Sequence, residues 1–112
     1  MKKIALAFAG LLVFSASVLA EEHADTALDH TKMAIVHGKA GHGPVLVEHA
    51  SVALLHAQKA AEVAKGEAKV HMKAAVKSLE SAIEHGKMGA GHEEVATKAA
   101  AEAVEHIQAG NK

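Results

Sequence analysis

The chain has 112 residues, a formal net charge of −1, ten histidines, no cysteine, and two phenylalanines as its only aromatic residues of the Phe, Tyr and Trp type. Without cysteine it can form neither a disulfide nor a thiolate metal site. Because it has no basic excess, and its two phenylalanines both lie within the first 14 residues, we expect no nucleic-acid partner.

Residues 1–20 have the features of a secretory signal peptide. A basic pair at 2–3 precedes an apolar run over 4–14, and small residues end the segment at Ala20, before Glu21. The run is short for a membrane span. We predict cleavage after Ala20 and export to the periplasm. The alternative is an uncleaved N-terminal anchor.

Residues 21–112 are expected to form a single small domain. Both phenylalanines and two of the 12 basic residues leave with the signal peptide, so 10 lysines remain against 13 acidic residues. The apolar residues that remain are largely alanine, which predicts a thin core and marginal stability. An acidic chain without aromatic anchors predicts no membrane partner after cleavage, and we expect a monomer.

Four segments place apolar residues three and four positions apart, which indicates amphipathic helices. Pro44 suits the first position of the second helix. Gly38 and Gly86 are expected to cap the first and third helices. The predicted helices cover residues 24–37, 44–65, 67–86 and 93–110. Their larger apolar residues mark the predicted buried faces: Leu28, Ile35, Val47, Leu54, Met72, Val76, Leu79, Ile83, Val104 and Ile107.

The chain contains an internal repeat. Residues 28–38 match 76–86 after a shift of 48, and residues 42–56 match 92–106 after a shift of 50. The fold class we predict is therefore all-α, an antiparallel up-down-up-down four-helix bundle of two repeated hairpins, at about 22–65 and 67–110. The alternative is one bent helix over 44–85 with the hairpins splayed apart, since an isolated glycine in a helix costs only about 1 kcal/mol.

The histidines follow the symmetry of these hairpins. They step by seven residues outward from each turn, and the residue numbers of facing partners add to 79 in the first hairpin and to 177 in the second. Only Ser78 and Ala99 interrupt the series, where a sixth pair would stand. The predicted pairs are His37 with His42, His30 with His49, His23 with His56, His85 with His92, and His71 with His106.

This spacing predicts metal sites between helices rather than along one helix. A seven-residue step returns to nearly the same helix face but lies about 10.5 Å further along the axis, which is too far for one ion. Neighbouring helix axes lie about 8–10 Å apart, so two facing imidazoles can reach a shared ion. We therefore take all ten histidines as candidate metal ligands.

Four other side chains are candidate co-ligands. Glu67 and Glu102 each lie four residues before a histidine of the outermost pair in the second hairpin. Met33 and Met88 each lie three residues after a histidine. For the methionines we favour a role as flexible core filler over thioether ligation of Cu(I).

Imidazole with oxygen co-ligands suits Cu(II), Ni(II) and Zn(II), with Cu(II) bound most tightly. We predict a non-enzymatic protein that buffers, stores or carries several such ions. The alternative is a helical envelope stress or chaperone-like protein whose histidines act as an acid switch.

The residue pattern also resembles a known family. His-x6-His-Gly-Lys-x-Gly-His at 30–42, Glu-His-Ala at 48–50, Ala-Ile-Glu-His-Gly-Lys at 82–87 and Glu-His at 105–106 are similar to the small metal-binding protein family. The resemblance covers essentially all of residues 21–112. It implies an all-helical periplasmic bundle that binds several divalent ions, with copper preferred. Ser78 and Ala99 depart from the pattern, which implies a lower capacity.

Overall fold

The computed structural model describes the backbone of residues 2–111 and the side chains of residues 18–111. Within this range the chain is helical and has no strand, which confirms the predicted all-α class. The four helices are α1 (Lys2–Lys39), α2 (Gly43–Val63), α3 (Gly66–Lys87) and α4 (Glu93–Gly110).

The helices pack as an up-down-up-down bundle. Each helix packs against the one before and after it in the chain, α1 also packs against α4, and the diagonal pair α2 and α4 touch only slightly. The single bent helix over 44–85 is wrong, because Ala64 and Lys65 adopt extended backbone angles and Gly66 has φ of 61°. We call α2 with residues 22–39 of α1 hairpin 1, and α3 with α4 hairpin 2.

Helix α1 begins well before the predicted start at residue 24. It runs without a break across the predicted cleavage site after Ala20. The side chains of residues 1–17 lie outside those described, so the signal peptide at 1–20 stays a prediction. No helix in the described part of the chain combines the length and the apolar character that a membrane crossing would need.

The bundle interior is built mainly from alanine. The buried residues recur every three and four positions on each helix, and most of them are alanines. The larger residues at the predicted faces, such as Leu28, Leu54 and Ile83, are only half-buried at the edge of this alanine stripe. The large apolar side chains that are fully enclosed are Leu46, Met72, Leu79 and Ile107. Small side chains let the four helices approach closely, and little apolar area is available for stabilisation.

Gly38 and Gly86 are not the helix caps that the sequence predicted. Both lie inside their helices and are buried. A Cβ at Gly38 would lie 2.7 Å from the side chain of Leu46, and one at Gly86 would lie 2.6 Å from Val47. These glycines therefore allow close packing where the two hairpin turns meet at one end of the bundle. Gly41, with φ of 80°, provides the left-handed backbone of the first turn.

Candidate metal centre

Every histidine occupies the same place relative to the buried stripe of its helix. Each one directly precedes a position on the inward side; for example His30 precedes buried Thr31 and His49 precedes buried Ala50. In coiled-coil terms, if the buried positions are a and d, all the histidines fall at g. Because the helices of a hairpin are antiparallel, their g positions face each other along one flank. The two histidine flanks lie on opposite sides of the bundle, one on each hairpin.

All five predicted pairs are brought together by the fold. Two imidazole rings that share one ion have ring centres about 4–6 Å apart, because each nitrogen lies about 2 Å from the metal. Four of the pairs fall within this range and the fifth, His71–His106, lies just beyond it at 6.2 Å. The other distances are 5.2 Å for His23–His56, 5.4 Å for His30–His49, 5.8 Å for His37–His42 and 5.7 Å for His85–His92.

Two of the pairs in hairpin 1 direct nitrogen atoms at each other. The Nδ1 atoms of His23 and His56 are 2.9 Å apart, and those of His30 and His49 are 3.2 Å apart. In each pair one ring donates its Nδ1 proton to the other. Two nitrogens bound cis to one ion at about 2 Å lie about 2.8–3.3 Å apart. If the donating ring moves its proton to Nε2, both lone pairs of such a pair converge on one point.

Hairpin 2 presents a nitrogen without a partner. The Nδ1 atom of His85 is buried and makes no hydrogen bond among the described residues. A buried polar atom without a partner costs about 1–3 kcal/mol, so a ligand that bonds to it would relieve a cost already present. Its ring stacks against that of His92 with an interplanar angle of 19°.

One imidazole contact was missed by the sequence reasoning. The rings of His37 and His49 belong to different predicted pairs, yet they stack 5.5 Å apart at an interplanar angle of 10°. The constant-sum rule assumes that side chains project straight out from the axis. Helical side chains in fact lean toward the N-terminus. That lean was the signal that could have revealed this diagonal contact.

The candidate co-ligands do not complete a ligand set. No group of three His, Asp or Glu side chains is gathered for a metal ion in the part of the chain that the structure describes. Glu67 and Glu102 are exposed. Met33 and Met88 are 45% and 51% exposed, so their interpretation as core filler is wrong; Met72 is the buried methionine. Each pair therefore offers two imidazoles and leaves the remaining positions of an ion open to water or other ligands.

The electrostatic environment of one pair differs from that of a free imidazole. Burial, and then repulsion from His23, Lys59 and His30, lowers the pKa of His56 below its ordinary value of 6.5. A metal ligand must be unprotonated. The lowered pKa keeps His56 neutral, and thus able to bind a metal, to a lower pH than a free histidine.

Comparison with known proteins bears on these observations. No curated protein sequence matches the chain. The family model described as small metal-binding protein matches residues 1–110, which is nearly the full length and includes all five histidine pairs. The chain therefore belongs to the small metal-binding protein family.

Proposed function

We propose that this protein binds several divalent transition-metal ions through its cross-helix histidine pairs, with Cu(II) preferred over Ni(II) and Zn(II). The observation that carries the proposal is the Nδ1–Nδ1 separation of 2.9 and 3.2 Å in two of the pairs. These separations match those of two nitrogens on one ion, so an ion could replace the bridging proton with little movement of either helix.

The chemistry of the ligands supports the ranking of metals. Imidazole suits copper, nickel and zinc, and Cu(II) has the highest affinity of the three for a given nitrogen site. The chain has no cysteine that could favour a softer thiolate centre. Five similar two-imidazole sites, each open to water, fit the storage or buffering of ions that must be released again. A catalytic metal would instead call for one site with a distinct geometry, so we propose binding rather than catalysis.

The cellular role follows from the N-terminus. The basic, apolar and small-residue segments of residues 1–20 support export, and we propose that the protein works in the periplasm as part of metal handling. Every histidine pair lies within one chain, which supports a monomer as the working unit.

The test is a Cu(II) titration of the purified protein at pH 7.5 and at pH 5, with bound copper counted after dialysis. We expect several ions at pH 7.5 and far fewer at pH 5, because protons compete with the metal for the imidazole nitrogens as the pH falls. Binding of one ion or none at pH 7.5, or equal binding at both values, would contradict the proposal.

A pair of variants assigns the ions to the histidines. Replacement of His23 and His56 together by alanine should remove one ion. The matched control is Ser78→Ala, which changes a flank position of hairpin 2 where no histidine pair exists, and it should leave the count unchanged. Loss of copper in the control, or none in the double variant, would argue against the pairs as sites.

A further inference from the structure

The imidazoles near the turn of hairpin 1 form a continuous row rather than separate pairs. The ring of His49 lies 5.4 Å from that of His30 and 5.5 Å from that of His37. In hairpin 2 the ring contacts found among the described residues stay within each pair. His49 thus has an imidazole neighbour both at its own level and one heptad nearer the turn.

The direction of helical side chains explains this difference. Side chains lean toward the N-terminus of their helix. On α1 this lean points away from the turn, and on α2 it points toward the turn, so His37 and His49 lean toward each other. The equivalent diagonal in hairpin 2 would join His85 to Ala99. Because Ala99 has no imidazole, only hairpin 1 has the diagonal contact.

A methionine lies near these two histidines in the helical register. Met33 is four residues before His37 and three after His30, which lies at the level of His49. Residues four apart on a helix have Cβ atoms about 5–6 Å apart. The Met33 side chain is 45% exposed, so its flexible thioether is not fixed by packing in the core.

We propose that Met33, His37 and His49 form a Cu(I) site that takes one imidazole from each of two neighbouring pairs, His37–His42 and His30–His49. Thioether sulfur is a soft ligand that selects Cu(I), while imidazole accepts either oxidation state of copper. Each imidazole binds the ion through a nitrogen lone pair in its ring plane, and the sulfur completes the ligand set. The inference rests on the proposed function in one respect, that the flank imidazoles bind metal. It adds a site with a different ligand set and a different oxidation state.

The site is tested by anaerobic titration with Cu(I) in competition with a coloured Cu(I) chelator, which reports the affinity for the first ion. Loss of even an outer-shell partner costs about 10–100-fold in metal affinity, so Met33→Leu should weaken the first Cu(I) by about tenfold or more. The matched control is Met88→Leu. Met88 is also exposed and also three residues after a histidine, but it has no diagonal contact nearby. The control should leave the first Cu(I) affinity unchanged.

A second pair of variants tests the imidazole ligands. His49→Ala should weaken the first Cu(I) by at least the same factor, and Ser78→Ala, at a flank position without a histidine, should not. Far-ultraviolet circular dichroism confirms that each variant keeps its helices. Equal Cu(I) affinities for the two methionine variants, or for His49→Ala and Ser78→Ala, would overturn the site.

These results can be separated from those for the proposed function. The number of Cu(II) ions bound at pH 7.5 is measured in its own titration, and Met33→Leu should not change it. If Met33→Leu and Met88→Leu bind Cu(I) equally while several Cu(II) ions still bind, this site is wrong and the proposed function stands. If the wild-type protein fails to bind more than one Cu(II), the proposed function is wrong whatever the Cu(I) result.

Discussion

Hairpin 1 and hairpin 2 use one heptad pattern but fill its flank positions differently. Hairpin 1 has three histidine pairs in an unbroken row, whereas hairpin 2 has two pairs separated by half-buried Ser78 and buried Ala99. The closest nitrogen contacts, at 2.9 and 3.2 Å, are both in hairpin 1. The widest ring separation, at 6.2 Å, is in hairpin 2. The ligands are therefore more closely assembled in hairpin 1.

The large buried apolar side chains of the interior come mainly from hairpin 2. Among residues 18–111, three of the four large apolar side chains that are fully buried belong to hairpin 2, namely Met72, Leu79 and Ile107. The repeat places Ala24, Thr31 and Ala57 at the equivalent positions of hairpin 1. Leu46 is the exception, with Ala96 as its counterpart. Each of these large residues therefore corresponds to a small residue in the other copy of the repeat. We infer that hairpin 2 supplies most of the apolar packing and hairpin 1 the better metal sites.

The largest effect should come from the core of hairpin 2. Leu79→Ala removes a fully buried leucine and should lower the free energy of unfolding by about 2–5 kcal/mol. The matched change in hairpin 1 is Thr31→Ala. The Thr31 hydroxyl donates to the Ala27 carbonyl of its own helix, a bond that adds little stability. We expect this variant to stay within about 1 kcal/mol of wild type.

Urea unfolding followed by circular dichroism measures both variants. The small apolar interior means that the loss from Leu79→Ala should be a large share of the total stability. Equal losses for the two variants would contradict the assignment of core packing to hairpin 2.

The next effect concerns stabilisation by metal. An ion present at 100 times its dissociation constant adds about 2.7 kcal/mol per site to the free energy of unfolding. Replacement of His23 and His56 by glutamine should remove most of that increment for one site. Replacement of His71 and His106 should remove less, because their rings lie further apart and bind the ion less tightly.

Thermal melting with and without Ni(II), which is not reduced by the protein or buffer, provides the measurement. Melts without metal serve as the control for any change in the apo bundle. A larger loss of metal-dependent stabilisation from the His71 and His106 variant would reverse the ranking of the two hairpins.

A third prediction turns hairpin 2 into a copy of hairpin 1. Ser78→His combined with Ala99→His supplies the missing sixth histidine pair. The new imidazole at position 99 would also lie diagonally opposite His85, as His49 does to His37 in hairpin 1. The double variant should bind one more Cu(II) ion than wild type at pH 7.5. Ala99 is only 7% exposed, so urea unfolding of each variant must also show that the fold accepts the larger side chain.

Each single variant is the control, because one imidazole alone does not form a pair, and neither should add an ion. If the double variant binds no more copper than the single ones, facing imidazoles are not sufficient to form a site.

The sequence predicted the bundle and the five pairs because both depend on simple periodicity. A seven-residue step and a constant sum place His23 opposite His56 without any knowledge of side-chain packing. The contact between His37 and His49 depends on the direction in which side chains lean, which the sum does not contain. The sequence also did not predict that Gly38 allows close helix packing. A Cβ at this position would clash with Leu46, and that constraint comes from tertiary packing rather than from the local geometry of a helix cap.

The methionines and the alanines also show that sequence periodicity alone does not predict how deeply each side chain is buried. A composition rich in alanine indicated a thin core, and larger residues such as Leu28 were predicted to lie on its buried faces, where they are only half-buried. In the fold most of the interior is alanine, and Leu46, Met72, Leu79 and Ile107 are the large enclosed side chains among residues 18–111. Met33 lies outside the buried stripe of α1 and is exposed.

The smallest predicted effect concerns the acid response of hairpin 1. In the folded chain the pKa of His56 lies below 6.5, first because of burial and then because of His23, Lys59 and His30. The unfolded chain therefore binds a proton at this residue more readily, and the free energy of unfolding falls as pH decreases from 6.5 through the lowered pKa.

Lys59→Gln removes one of the repulsions, so the pKa of His56 should rise toward 6.5 and part of this acid sensitivity should disappear. A titration of the His56 ring by nuclear magnetic resonance measures the change in the metal-free protein, with Lys98→Gln on α4 as the control. Because Lys59 is exposed, salt screens its effect, and the difference between wild type and variant should shrink at about 1 M salt. A change that is equally large in the Lys98 variant would mean that the response reflects net charge rather than the environment of His56.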